Sequence, residues 1–220
     1  MYNNALFLKT KLGEVVCVYS PDNSHFIKTQ NFKRLKGSIM TLEKIKNLPG
    51  NTSLTMSVEG KSLVAMPVIG SIVSPFDTLE NMPIQPVGAK DILGKLVVHE
   101  EYAAGLKDLE GFSHIYIFYH FHKATKTKLI VEPFMDKTPR GVFATRAPLR
   151  PSHLGMSVVE LVSVDKNIIE IKGVDVLNGT PLIDIKPYIL KFDYRSDATS
   201  GWLKAGQNEI DNRSSDKRFE

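Results

Sequence analysis

The chain has one cysteine, one tryptophan and no apolar run approaching the ~20 residues that cross a bilayer. A lone Cys17 forms no internal disulfide, and within EVVCVYS it reads as a small packed hydrophobe. The opening MYNNALFLKTK has neither the basic start nor the long apolar core of a secretory signal. These absences set the expectation of a cytoplasmic protein with no membrane partner. The glycine-rich loops of nucleotide triphosphatases and of dinucleotide-binding crossovers are missing too, which argues against both chemistries. Histidines occur at 114, 120 and 122, and on a strand His120 and His122 share a face. With no Asp, Glu or Cys ligand close by, the expectation is no metal.

What is present is an ordinary soluble composition: 220 residues, 42% hydrophobic and 24% charged. That suits one compact domain, or one domain with a small appendage. The formal charge of +4 is uneven, because residues 1–66 hold nine Lys or Arg against four acids. The segment KTQNFKRLKGSIMTLEKIK, with Lys33 and Arg34, concentrates it. Such a patch attracts a polyanion or forms a solvated basic face, and charge alone leaves both open.

Short runs rich in Val, Ile, Tyr and Phe recur between Asn, Gly, Pro and Asp. They include ALFLK, EVVCVYS, SLTMSVEG, ILGKLVVH, HIYIFYHF, KLIVEPF, MSVVELVSV, IIEIKGVDV and YILKFDY. Helical signals are few: EEYAAGLKDL from Glu100, and one or two turns each at NFKRLKG and TLEKIKNL. The expectation is a mainly β fold, a single compact β-barrel-like domain with few short helices and an N-terminal extension; barrel closure removes exposed edges. The expected organisation is a basic extension or small accessory domain at 1–66, the barrel domain at 67–193 and a polar tail at 194–220. Trp202, isolated in that tail, is expected to dock on its own domain or on a partner subunit.

Four groups of residues carry candidate chemistry. In IGSIVSPF followed by PIQP, Gln85 stands between prolines as a stiffly held amide, suited either to reading a polar ligand or to a structural loop. In GFSHIYIFYHFHKA, His122 lies beside Phe121 as a candidate ligand-facing imidazole. In RGVFATRAPLRPSHLG, Arg140, Arg146 and Arg150 gather around Pro148 and Pro151; guanidiniums suit carboxylates and phosphates through their rigid fork. If 141–146 is a strand, Arg146 shares a face with Ala144 and Val142. In GVDVLNGTPLIDIKPYI, alternation places Asp184, Lys186 and Tyr188 on one face. That face is either an ion pair at an edge or a polar active-site wall.

These motifs, with EEYAAGLKDLEGFSHIYIFYHFH, LGMSVVELVSV and DVLNGTPLIDIKPY, occur in order across 67–188 and closely resemble the TsaA-like family of tRNA methyltransferases. The resemblance implies a β-barrel methyltransferase domain that works as a homodimer. It implies S-adenosylmethionine as cofactor and the anticodon loop of tRNA as partner, with methyl transfer to N6 of adenosine 37 or its threonylcarbamoyl derivative. The implied cofactor pocket comprises Pro83, Ile84, Gln85, Phe121, His122, Arg146, Met156 and the turn Asp175, Val176, Leu177, Asn178 and Gly179. Asp184, Lys186 and Tyr188 are the implied catalytic set: Asp184 to accept a hydrogen bond or proton from the amine, Lys186 to pair with a carboxylate, Tyr188 to orient or stack.

Arg146 is expected on the cofactor side, and Arg140 and Arg150 toward RNA or a partner subunit. Lys33 and Arg34 are expected to widen the tRNA footprint. The family commonly has RPNPIG where this chain has Arg150-Pro151-Ser152-His153-Leu154-Gly155. Ser152 and His153 therefore mark a loop where substrate contacts differ. Two other readings stand beside the leading one: a methyltransferase acting on another small or nucleic substrate, and a non-catalytic RNA-binding barrel.

Overall fold

The computed structural model describes residues 66–80, 82, 83, 85–206 and 215, and ahead of them four short strands. The chain divides into two compact units, Met1–Pro67 and Val68–Glu220. In the first, β1 (Phe7–Lys9) pairs antiparallel with β2 (Val15–Cys17), and β3 (Thr55–Val58) with β4 (Lys61–Val64). NFKRLKG, TLEKIKNL, Lys33 and Arg34 lie outside the described residues.

The second unit is built on β5 (Gly70–Val73), β6 (Leu93–Val98), β7 (His114–His120), β8 (Ile130–Val131), β9 (Arg140–Gly141), β10 (Leu154–Asp165), β11 (Ile168–Lys172) and β12 (Thr180–Pro187). Six of these close into a barrel in the order β10-β11-β6-β5-β12-β7, every neighbour antiparallel. The expected mainly β barrel with few short helices is what the chain forms. EEYAAGLKDL becomes two 3-10 segments, Glu100–Leu106 and Leu109–Gly111. YILKFDY, read above as a strand, instead ends in one helical turn, α1 (Leu190–Asp193), beyond the last barrel strand.

Closure follows from the period-two pattern. In β7, Ile115, Ile117 and Tyr119 point inward between the outward His114, Tyr116, Phe118 and His120. Ile72, Leu96, Ile169, Ile171 and Leu182 complete a fully buried centre from the other strands. Each such side chain contributes ~1.5–3 kcal/mol by leaving water. A barrel of only six strands is filled by its own side chains, so a ligand site has to lie on its rim or its outer wall. Filling is tight at Gly155, where an added Cβ would fall 2.2 Å from the Tyr119 ring, so only glycine fits.

Between β7 and β10 the chain leaves the barrel for about thirty residues and forms its own small core of Val131, Val142, Ala147 and Leu149. The β8–β9 pair lies in this excursion. Val142–Ala144 is a 3-10 turn and not a continuation of β9, so the condition of a strand over 141–146 is not met. The physical reason is local: Arg150 and Thr145 draw the turn's carbonyls inward, which an extended strand would not permit. Trp202 docks back on this excursion, its indole N–H donating to the Ala144 carbonyl at 2.8 Å. No helix among the described residues is long and apolar enough to cross a membrane.

Candidate functional site

The ends of β5, β7 and β11 and the starts of β6, β10 and β12 fall on one rim, because all neighbours are antiparallel. Most of the implied cofactor residues collect there. The 175–179 turn is stitched to the stretch after β5: Ser74 Oγ donates to the Val176 carbonyl at 2.6 Å. Asn178 Nδ2 donates to Asp77 Oδ1 at 3.1 Å, and the Asn178 and Gly179 amides donate to Phe76 and Ile72. Gly179 sits at φ 73, a conformation that favours glycine. IGSIVSPF and DVLNGT, a hundred residues apart in sequence, are therefore one structural piece. Val176 is buried within it, so it positions the turn from inside.

His122 follows β7 onto this rim. Its Nδ1 lies 3.4 Å from Thr180 Oγ1, whose own proton goes to the Leu177 carbonyl at 2.7 Å. The imidazole must therefore donate through Nδ1, leaving Nε2 as an acceptor. Burial, and secondarily the nearby Lys123 charge, push its pKa below the ordinary value, so the ring is neutral at pH 7. Phe121 packs edge-on against Tyr119, ring centres 5.3 Å apart.

Arg146 is exposed and reaches Gln85, Nη1 to Oε1 at 3.4 Å, across 61 residues of sequence. Asp175 lies within its field. Burial raises the Asp175 carboxyl to about 6, against the opposing effects of the Ser157 hydrogen bond and the Arg146 charge. Ser157 Oγ donates to Asp175 Oδ1 at 2.8 Å and shares a hydrogen bond with the Tyr119 hydroxyl at 3.0 Å. This Tyr119–Ser157–Asp175 chain was not singled out from sequence. The available signal was Ser157, a hydroxyl at an inward position of an otherwise apolar strand. Pro83 lies on the loop before Gln85, and Ile84 lies outside the described residues.

The catalytic candidates occupy the outer wall. Strand register places Met156, Phe118 and Asp184 in one row across β10, β7 and β12, and Val158, Tyr116 and Lys186 in the next. An irregularity in β12 between Leu182 and Asp184 keeps Leu182 and Ile185 toward the core while Asp184 turns outward. Asp184 Oδ2 pairs with Lys186 Nζ at 2.8 Å, and Asp184 Oδ1 accepts the Ile185 amide at 2.9 Å. Tyr188 stacks obliquely on Tyr116 at 5.6 Å and meets His114 at 6.4 Å. Asp184, Lys186 and Tyr188 thus share a wall, as alternation implied. Among the described residues no hydrogen bond or ion pair joins that wall to the Gln85–Arg146 rim.

Two of the three arginines point elsewhere. Arg140 donates through Nε and Nη2 to Asp136 at 2.9 and 2.5 Å and lies 5.4 Å from the Trp202 ring centre. This pairing holds the Asp136 carboxyl down at about 2. Arg150 donates to the carbonyls of Ala147, Val142 and Thr145, clamping its own loop. Ser152 is exposed, but His153 is 2% exposed, with Nδ1 2.9 Å from the Pro148 carbonyl and Nε2 3.4 Å from Thr127 Oγ1. Any influence of His153 on a ligand passes through the loop it holds.

Comparison with known proteins gives a consistent result. Residues 71–194 match the family model of the tRNA-methyltransferase O N-terminal domain. A probable S-adenosyl-L-methionine-binding protein of Pyrococcus abyssi is 50% identical over 151 residues, covering 69% of this chain and 82% of that protein. The tRNA (adenine(37)-N6)-methyltransferase of Escherichia coli K12 is 35% identical, over 62% of this chain and 63% of the enzyme. A crystal structure of TrmO superposes with a TM-score of 0.55 at 35% identity, covering 62% of each chain. The chain therefore spans about three-fifths of the length of these last two relatives.

Proposed function

The chain belongs to the tRNA-methyltransferase O N-terminal-domain family, and from that membership we propose that it methylates N6 of adenosine 37 in tRNA, with or without the threonylcarbamoyl group, using S-adenosylmethionine. The observation that carries the reading is Arg146, an exposed guanidinium at 3.4 Å from the Gln85 amide and in the field of the desolvated Asp175 carboxyl. That donor set fits the cofactor. A guanidinium fork matches an amino-acid carboxylate, and Gln85, neutral His122 and Asp175 offer acceptors for an ammonium and an adenine amine. When bound, S-adenosylmethionine supplies an electrophilic methyl group. Phe121, Met156 and the 175–179 turn would hold its apolar parts.

Asp184 is the residue we assign to the substrate amine. Each of its oxygens already accepts one hydrogen bond, from the Ile185 amide and from Lys186, and each keeps a further lone pair for an N–H. Holding the amine there orients its lone pair and gives the departing proton a destination. Lys186 keeps that carboxylate placed, and Tyr188 offers a face to the base. A homodimer belongs to the same proposal: the wall exposes Met156 beside Phe118 and Tyr116, and a second copy seated on it would border Asp184. The anticodon loop presents unpaired bases, so adenosine 37 enters a site at limited unstacking cost.

The test is mass spectrometry of tRNA nucleosides after incubation with isotopically labelled S-adenosylmethionine. Label on N6 of adenosine 37 or of its threonylcarbamoyl derivative is the expected result. Label on another nucleoside would redirect the substrate, and no cofactor binding by calorimetry would favour a non-catalytic barrel.

A further inference from the structure

The charge of the barrel unit is segregated. Residues 123–150, the excursion between β7 and β10, carry seven Lys or Arg and two acids. Around it, residues 67–122 and 151–206 carry nine Lys or Arg and fourteen acids. The near-neutral total of the unit therefore conceals a basic lobe on an acidic body. Lys123, Lys128 and Lys137 are exposed on that lobe, as is Arg146 at its inner margin.

In the Val142–Ala144 turn of the lobe stands Phe143, 78% exposed, the most exposed of the large hydrophobic side chains in the described residues. Its backbone is held from several sides. The Val142 carbonyl accepts from Thr145 Oγ1 at 2.9 Å and Arg150 Nη2 at 3.3 Å, the Ala144 carbonyl from Trp202 at 2.8 Å, and the Thr145 carbonyl from Arg150 at 2.5 Å. The Val142 amide is tied to the Leu129 carbonyl at 2.8 Å. An aromatic ring presented to water on a braced turn, within a basic lobe, has the elements of a nucleobase stacking platform: a π-face, cations for the backbone and little ordering entropy left to lose. The remainder of the unit carries net negative charge, so electrostatics favours the lobe as the place where an RNA strand's phosphates are held.

We propose that the 123–150 lobe is the RNA-docking surface of this chain and that Phe143 stacks on an unpaired base beside the target adenosine. The proposal rests on the tRNA reading above and goes beyond it by naming the surface. It adds this lobe to the tRNA footprint that Lys33 and Arg34 are expected to widen.

The test uses the full chain with Phe143→Ala, Phe143→Tyr and the double variant Lys128→Glu/Lys137→Glu. The probes are unmodified tRNA and an anticodon stem-loop carrying 2-aminopurine next to position 37. Phe143→Ala should raise KM for tRNA about tenfold, the scale of one lost base–aromatic stack, with S-adenosylmethionine affinity and thermal midpoint unchanged. Phe143→Tyr should restore it, and binding should quench 2-aminopurine with wild type but not with Phe143→Ala. The double variant should weaken RNA binding and flatten its salt dependence, each lost phosphate contact removing ~0.7–0.9 from the log–log slope.

Wild-type transfer to tRNA with an unaltered Phe143→Ala KM would overturn the proposal and leave the function intact. Phenylalanine-dependent RNA binding without transfer would support the docking surface and sink the function. A Phe143→Ala chain that changes oligomeric state and loses cofactor affinity would assign the ring to a second copy and overturn the RNA assignment. No RNA binding by wild type would overturn both.

Discussion

Ser157 Oγ donates to Asp175 Oδ1 at 2.8 Å, with the Tyr119 hydroxyl 3.0 Å behind it. The carboxyl nonetheless sits at about 6, because burial outweighs the hydrogen bond and the Arg146 charge that oppose it. A carboxyl raised in the folded state binds its proton more tightly there than in the unfolded chain. Its stabilising contribution is complete below pH ~4 and disappears as pH rises through ~6, an effect of up to ~3 kcal/mol. Urea midpoints from pH 4 to 7 should fall more for wild type than for Asp175→Asn. Parallel curves would show that Asp175 ionises freely.

The contrast between Arg146 and Arg150 gives a second expectation. Arg146 is exposed and meets only a side-chain amide, at 3.4 Å. Arg146→Ala should therefore leave stability within about 0.5 kcal/mol while S-adenosylmethionine affinity falls at least tenfold by calorimetry. Arg150→Ala releases three backbone carbonyls. It should lower the thermal midpoint by several degrees, since each kcal/mol is worth ~2–4 °C in a domain of this size. Equal stability of the two variants would undo the division of roles.

Much of this was legible in the sequence, and the limits have physical reasons. Period-two alternation is local, so β7, β10 and the shared face of Asp184 and Lys186 could be read directly. The Tyr119–Ser157–Asp175 chain joins residues 18 and 38 apart across the barrel, which no local pattern encodes. Arg150 reads the same as Arg146 in RGVFATRAPLR, and only the path of the turn decides that one clamps carbonyls while the other faces outward. The 142–144 stretch reads as strand because Val and Phe favour it, but Arg150 and Thr145 bend it into a 3-10 turn.

Asp184→Asn tests the assigned acceptor. The amide keeps the shape but replaces one acceptor oxygen with a donor and removes the Lys186 ion pair, which is exposed and worth at most ~1 kcal/mol. Stability should hardly change. Single-turnover transfer at saturating cofactor should fall about a hundredfold, the lower range for losing a positioned acid–base group. Unchanged turnover would remove Asp184 from the reaction.

Gly155→Ala probes the tight filling of the barrel. The new methyl would meet the Tyr119 ring at 2.2 Å, and Tyr119 is 4% exposed, packed in the barrel core. A shift of the ring also displaces its hydroxyl from Ser157. The variant should lose ~1–3 kcal/mol by overpacking, read as a lower urea midpoint at unchanged slope.

The departure from the family's loop pattern is testable at His153. Its backbone lies at φ 48, whereas a proline ring locks φ near −65°. A chain with proline here must route the loop differently, so the substitution is structural before it is chemical. His153→Pro also removes the amide that donates to the Arg150 carbonyl at 3.0 Å and the ring that bonds to the Pro148 carbonyl at 2.9 Å. Incompatible backbone and lost hydrogen bonds together should cost at least ~2 kcal/mol. His153→Gly tolerates the positive φ and loses only the ring, so it should cost less. The order wild type, glycine, proline in thermal midpoint would establish that the left-handed backbone holds the loop. A proline variant as stable as wild type would mean that the loop can take the other path, and that the imidazole alone distinguishes this chain there.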